Sequence, residues 1–158
     1  MIFDLSSGQT WVMVLNLVIA AFLGGLIGLE REVGHRPAGL RTTMLVCVGS
    51  ALFTVLSIHA FPSAGDVSDA RVAAQIVAGI GFLGAGTVWR AQDHVKGLTT
   101  AASLWVAAAI GMAVGAGFGV LALAATVITL FILAVMQRLE RRFFPHVGEH
   151  SAPDQSSS

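Results

Sequence analysis

Charge is what this chain has least of: Asp, Glu, Lys and Arg make up 11% of its 158 residues, where an ordinary soluble domain carries about a quarter. With 55% of residues apolar, a water-soluble fold of this size would have no means of hiding so much oily surface. The formal net charge is zero, which offers no field to draw a nucleic acid. Cysteine occurs once, as Cys47 inside an apolar run. No disulfide can therefore form within one chain, and Cys47 reads as a small hydrophobe. Neither Lys nor Arg precedes Trp11, and Asp4 stands in their place. A secretory leader needs a basic start, so no cleaved segment is expected.

Long apolar runs are abundant. Five stretches approach the roughly 20 residues that cross a bilayer as a helix: Trp11–Leu29, Thr42–Phe61, Val72–Trp89, Leu98–Gly115 and Gly119–Met136. None holds an Asp, Glu, Lys or Arg, whereas soluble helices of that length keep a solvated face. The expected fold is all-α, a polytopic membrane bundle of five transmembrane helices over residues 1–142. A cytoplasmic tail, largely disordered, is expected over 143–158, where Ser, Pro and Gln replace apolar residues. Eight of the nine basic residues fall in the first connection, the third connection and the tail, leaving Arg71 alone on the other side. Basic residues are retained in the cytoplasm, so the N-terminus is expected outside and the C-terminus inside.

The stretch from Gln75 to Trp105 reads as a tightly packed hairpin around which the rest is arranged. Gly79, Gly81, Gly84 and Gly86 crowd its first helix, and four-residue glycine spacing recurs at Gly24 and Gly28 and at Gly111 and Gly115. Small residues let membrane helices approach closely, so these eight glycines are the expected packing positions. Phe22-Leu23-Gly24-Gly25 resembles Phe82-Leu83-Gly84-Ala85 at an offset of 60 residues, and Gly39-Leu40-Arg41-Thr42-Thr43 matches Gly97-Leu98-Thr99-Thr100 with one gap. A duplicated helical hairpin follows, both copies running in the same sense. It brings Glu30 and Arg90 to equivalent places with opposite charge, which predicts a pair. Asn16 and Gln75 are nearly equivalent too, and an intramembrane hydrogen bond between them is expected to orient helices.

Several patterns suggest chemistry that their context excludes. Gly79-Ile80-Gly81-Phe82-Leu83-Gly84 has the spacing of a dinucleotide-binding turn, but it lies in mid-helix rather than after a strand. His146-Val147-Gly148-Glu149-His150 has a zinc-peptidase spacing, yet Pro145 and Gly148 weaken the helix that such a site needs. Asp66 and Asp69 read as helix-capping acids rather than cation ligands. His35, His59 and His94 are isolated and read as solvated or interfacial. No nucleophile, base and orienting group converge, so neither an enzyme nor a cofactor or metal site is expected. The informative group is a polar cluster at the cytoplasmic face, comprising Glu30, Arg31, Arg41, Thr42, Arg90, Thr99 and Thr100, with Thr43 beside it. Its threonine pairs open helices, where hydroxyls cap free amides and anions are attracted.

Four ordered motifs carry a resemblance. Gly28-Leu29-Glu30-Arg31-Glu32, Gly39-Leu40-Arg41-Thr42-Thr43, the Gly79–Gly86 run and Gly97-Leu98-Thr99-Thr100-Ala101-Ala102 are similar to signatures of the MgtC/SapB family of bacterial inner-membrane proteins. The resemblance implies a non-enzymatic inner-membrane protein with a role in growth under magnesium limitation and, in pathogens, in survival inside macrophages. It implies regulation of a membrane partner, ATP synthase and membrane energetics being described for the family, rather than magnesium pumping. Longer members add a soluble cytoplasmic domain, so the short, membrane-only form is expected here. The expected partners are the lipid bilayer, further copies of the chain and another membrane protein. The competing reading is a small-ion or small-solute transporter working through the pseudo-symmetric core.

Overall fold

An apolar run in lipid must satisfy its own backbone, and the helix does so within one segment. The computed structural model describes residues 7–60, 67–91 and 94–143 and contains five helices: α1 (Ser7–Val33), α2 (Leu40–Ala60), α3 (Val67–Gly86), α4 (Leu98–Gly115) and α5 (Gly119–Phe143). Each expected segment falls on one of them. Four are long and apolar enough to cross a membrane, while α3 carries a shorter apolar stretch, Arg71–Gly86. The protein is an all-α, multi-pass membrane bundle. Asp66, the tail beyond Phe143 and its His146–His150 motif lie outside the described residues, and nothing is placed for the Asp69 side chain.

The third segment ends sooner than its hydropathy suggests. Thr87 turns its hydroxyl back onto the Gly84 carbonyl at 2.8 Å, and its amide donates to the same carbonyl at 3.0 Å. The chain then leaves the helix for an antiparallel hairpin, β1 (Trp89–Ala91) against β2 (His94–Lys96), with Trp89 opposite Lys96 and Arg90 opposite Val95. Trp89, expected inside the membrane helix, is therefore a strand residue, half-exposed at the bundle's end. Gly97 closes the hairpin at φ 94°, in the left-handed region where glycine is at no disadvantage. A side chain there would also run into the Thr87 carbonyl.

Helix α2 is wedged between α1 and α4, and of the α3–α4 hairpin expected to organise the bundle α4 is central while α3 is peripheral. Helix α4 packs against each of the other four helices, whereas α3 touches chiefly α4 and α2. The wedge is closed by glycine. A β-carbon on Gly24 would sit 2.7 Å from the Cys47 β-carbon, and one on Gly28 would sit 2.6 Å from the Leu40 α-carbon. On the opposite side Gly111 lies against the Cys47 backbone, and a β-carbon on Gly115 would come 2.5 Å from the Ala51 carbonyl oxygen. Glycine thus permits backbone-to-backbone contact on both sides of α2. Cys47 itself is fully buried, its thiol donating to the Ala107 carbonyl at 3.0 Å.

The α3 glycines behave differently from expectation. Gly84 meets Ala101 of α4 at ordinary contact distance, but Gly79, Gly81 and Gly86 have open space where a side chain would project. They are not packing positions within this bundle: Gly79 borders an open cleft between α2 and α3, and Gly81 and Gly86 are exposed. The duplicated hairpin, in contrast, has a structural counterpart. Thr43, Val46, Cys47, Ser50 and Ala51 in α2 correspond one-to-one, at constant spacing, with Thr100, Ser103, Leu104, Ala107 and Ala108 in α4, and all ten are buried.

Candidate functional site

The last turn of α1 begins the site. Arg36 donates its amide to the Arg31 carbonyl at 2.9 Å, and His35 donates to Glu32 at 3.0 Å. This pairing ends a helix with one residue in the left-handed conformation, and His35 takes that place at φ 52°. The turn reverses the chain within six residues and sends the Pro37 carbonyl back toward α1. Glu32 completes the connection. Its Oε2 accepts from the Leu40 amide at 3.1 Å, so a carboxylate of the first helix caps the second, favourably placed at the positive end of its dipole. Gly39 lies against that carboxylate.

Arg31 is held inside this frame, only 3% exposed. Its Nη2 donates to Thr100 Oγ1 at 2.6 Å and to the Pro37 carbonyl at 3.2 Å. Thr100 is itself 3% exposed and sits in the first turn of α4. Its carbonyl accepts the Ser103 hydroxyl at 2.8 Å. Nearby, Thr43 turns its hydroxyl onto the Gly39 carbonyl at 2.9 Å and the Ala38 carbonyl at 3.2 Å. One guanidinium therefore ties the end of α1, the first connection and the start of α4 together. The same bond puts the α1–α2 connection and the α3–α4 hairpin at one end of the bundle, as the duplicated arrangement requires.

Two atoms of this junction stay without a protein partner, Glu30 Oε2 and Arg31 Nε, both buried. A buried polar group left unpaired costs about 1–3 kcal/mol, so each of these atoms is suited to a water or to a small polar partner. Among the described residues no group of three His, Cys, Asp or Glu gathers that could hold a metal ion.

The expected cluster is thus divided. Arg31 and Thr100 come together, Glu30 is half-buried and Thr43 is buried against its own helix start, but Arg41, Thr42, Arg90 and Thr99 are exposed. Arg90 does not meet Glu30. It stands on β1 opposite Val95, carried past the end of α3 by the hairpin, while α3 itself lies against α4 and α2. Nor do Asn16 and Gln75 pair across the membrane. Asn16 is half-buried on α1, whereas Gln75 is exposed on α3 and lines a cleft facing α2. Both pairs were expected from sequence equivalence, and both fail because α1 and α3 are separated by the wedge. Sequence reasoning overlooked Glu32, Pro37 and Gly39. The signal was the second acid of Glu30-Arg31-Glu32, which has no role on a membrane-facing helix end unless something across the turn needs a carboxylate.

Comparison with known proteins finds relatives along most of the chain. The profile described as the MgtC family matches residues 17–142. Protein MgtC of Brucella abortus (strain 2308) is 55% identical over 116 residues, covering 73% of this chain and 46% of that protein. Protein MgtC of Salmonella typhimurium (strain 14028s / SGSC 2262) is 47% identical over 129 residues, covering 82% and 54%. A protein of Escherichia coli (strain K12) named "Putative magnesium transporter YhiD" is 41% identical over 139 residues, covering 85% and 65%. The chain spans between about half and two thirds of the length of these relatives. No solved structure matches it. The matched residues run from the first helix to the end of the last and include the whole Arg31–Thr100 junction, and the chain belongs to the MgtC family.

Proposed function

We propose that this chain is a non-enzymatic bacterial inner-membrane protein that serves adaptation to low magnesium by contacting and regulating another membrane protein. The observation that supports this reading is the closed interior. Gly111 lies on the Cys47 backbone and Gly115 on Ala51, so the middle of the bundle is filled by backbone. A hydrated cation entering there would have to part helices that are in direct contact. The outer faces are available for association instead. Val120, Val127 and Phe131 of α5 are each more than half exposed, and a helix presented to lipid in this way can take a partner helix. The distribution of basic residues supports an N-terminus outside and the Arg31 junction on the cytoplasmic side.

Crosslinking from α5 positions in native membranes, followed by identification of the captured proteins, tests the reading. A discrete membrane partner is expected, and labelling of lipid alone would count against it. Function of the junction is tested by growth at limiting magnesium. Arg31→Gln and Thr100→Val are expected to lose complementation while the protein still inserts, and full complementation by both would remove the junction from the function.

A second reading, passage of a small ion or solute, is favoured by the name that YhiD carries. Purified protein in liposomes separates the two. Magnesium, proton or potassium flux above that of empty vesicles would overturn the partner reading in favour of transport.

A further inference from the structure

Between α2 and α3 lies a cleft of about 610 Å³, within the roughly 300–1,000 Å³ range of small-ligand sites. Its walls run from Thr42 to Phe53 on α2 and from Val72 to Leu83 on α3, about 16 Å along the axis at 1.5 Å per residue. That length is close to one leaflet of a hydrocarbon core of about 30 Å. The lining is apolar apart from Gln75, Ser50 and Thr42. Two glycines, Gly49 and Gly79, line it from opposite helices, and a β-carbon on either would meet nothing within 4 Å. These are two of the glycines that backbone contact leaves unexplained. We propose that the cleft holds one acyl chain of an anionic phospholipid, with Arg41 taking its headgroup.

Charge chooses both the occupant and its direction. Arg41 is exposed and immediately precedes Thr42, whose side chain lies at the mouth of the cleft. The exposed Arg90 and Lys96 of the hairpin are at the same end of the bundle. At the opposite mouth only Arg71 adjoins Val72, among the described residues. Three cations against one, with the Glu32 carboxylate already engaged by the Leu40 amide, favour a phosphate-bearing headgroup at the Arg41 end. A helix from a second copy fits less well, because α2 and α3 remain packed on each other and a third helix requires a gap of roughly 10 Å.

The test is native mass spectrometry of the full chain in mild detergent, equilibrated with phosphatidylglycerol or phosphatidylethanolamine at equal concentration. One retained phosphatidylglycerol per chain is expected. Gly49→Leu with Gly79→Leu should cut retention of both lipids about tenfold by filling the cleft, with helical content unchanged by circular dichroism. Arg41→Gln should lower the preference for phosphatidylglycerol about fivefold while leaving phosphatidylethanolamine retention as it was. Arg41 is exposed, so this variant decides the question even if the double variant misfolds. Absence of bound lipid, retention unaffected by the filled cleft, or a preference unmoved by Arg41→Gln would each overturn the proposal. So would a wild-type dimer free of lipid that the filled cleft converts to monomer, which would assign the cleft to a second copy.

Discussion

Replacing Thr100 with Val changes almost no volume and removes one oxygen, the acceptor that stands 2.6 Å from Arg31 Nη2. The guanidinium then keeps only the Pro37 carbonyl at 3.2 Å, with Nε already unpartnered. Arg31 is too enclosed to recover the loss from water, being 3% exposed. A hydrogen bond to a charged group contributes about 1.5–3 kcal/mol, so a destabilisation of about 2 kcal/mol is expected. For a chain of this size that corresponds to a fall of about 4–8 °C in Tm. Thermal unfolding in mild detergent, followed by the fluorescence of the three tryptophans, reads the shift. Thr99→Val is the control, since Thr99 is exposed one residue away and should move stability by no more than about 0.5 kcal/mol. A cycle with Arg31→Gln isolates the pair: the double variant should lose less than the sum of the two singles. Equal effects of Thr100→Val and Thr99→Val, or strict additivity with Arg31→Gln, would refute the junction as a coupling between α1 and α4.

Glycine substitutions should separate the two halves of the bundle. Gly111→Ala forces a methyl into the Cys47 backbone and is expected to cost about 1–3 kcal/mol, while Gly81→Ala meets open space and should be neutral or stabilising by up to about 1 kcal/mol; detergent melts of the pair check this. Gly97→Ala combines the left-handed backbone at φ 94° with collision against the Thr87 carbonyl. It should lower Tm by more than Gly81→Ala changes it in either direction. Glu32→Ala removes the cap on the Leu40 amide and is expected to cost about 0.5–2 kcal/mol, visible as faster hydrogen exchange at the start of α2. His35→Gly relieves a non-glycine residue at φ 52° and should raise stability by up to about 1–2 kcal/mol; a lower Tm would show that the imidazole makes a contribution larger than the strain.

Much of this protein can be read without coordinates, because the bilayer imposes a rule that hydropathy obeys directly. Five uncharged runs had to become helices once no other structure could satisfy their amides, and five helices are found. The reversal between α4 and α5 turns on Gly117, with φ 85° at the glycine and the Phe118 amide donating to the Ala113 carbonyl at 2.8 Å. Repetition of Gly-Leu-x-Thr motifs pointed to paired hairpins, and the matching burial of α2 and α4 agrees. Glu30 and Arg31 were singled out by their charge and Thr100 by its place at a helix start, within a larger cluster that the structure divides.

Which faces meet was beyond the reach of pattern. A glycine-rich helix announces that it can pack closely, but not where. Gly24, Gly28, Gly111 and Gly115 found backbones to touch, while Gly79, Gly81 and Gly86 did not. The same indeterminacy defeated the Glu30–Arg90 and Asn16–Gln75 pairs, since equivalence between repeats fixes depth in the membrane and leaves the neighbour open. Composition and periodicity set the number, length and burial depth of the helices, because each segment answers to lipid independently. Only tertiary packing decided that α2 would be the wedge, that Arg31 would be enclosed rather than solvated, and that a cleft would remain beside Gly49 and Gly79. Those outcomes depend on three helices fitting together at once, a condition that no single segment carries.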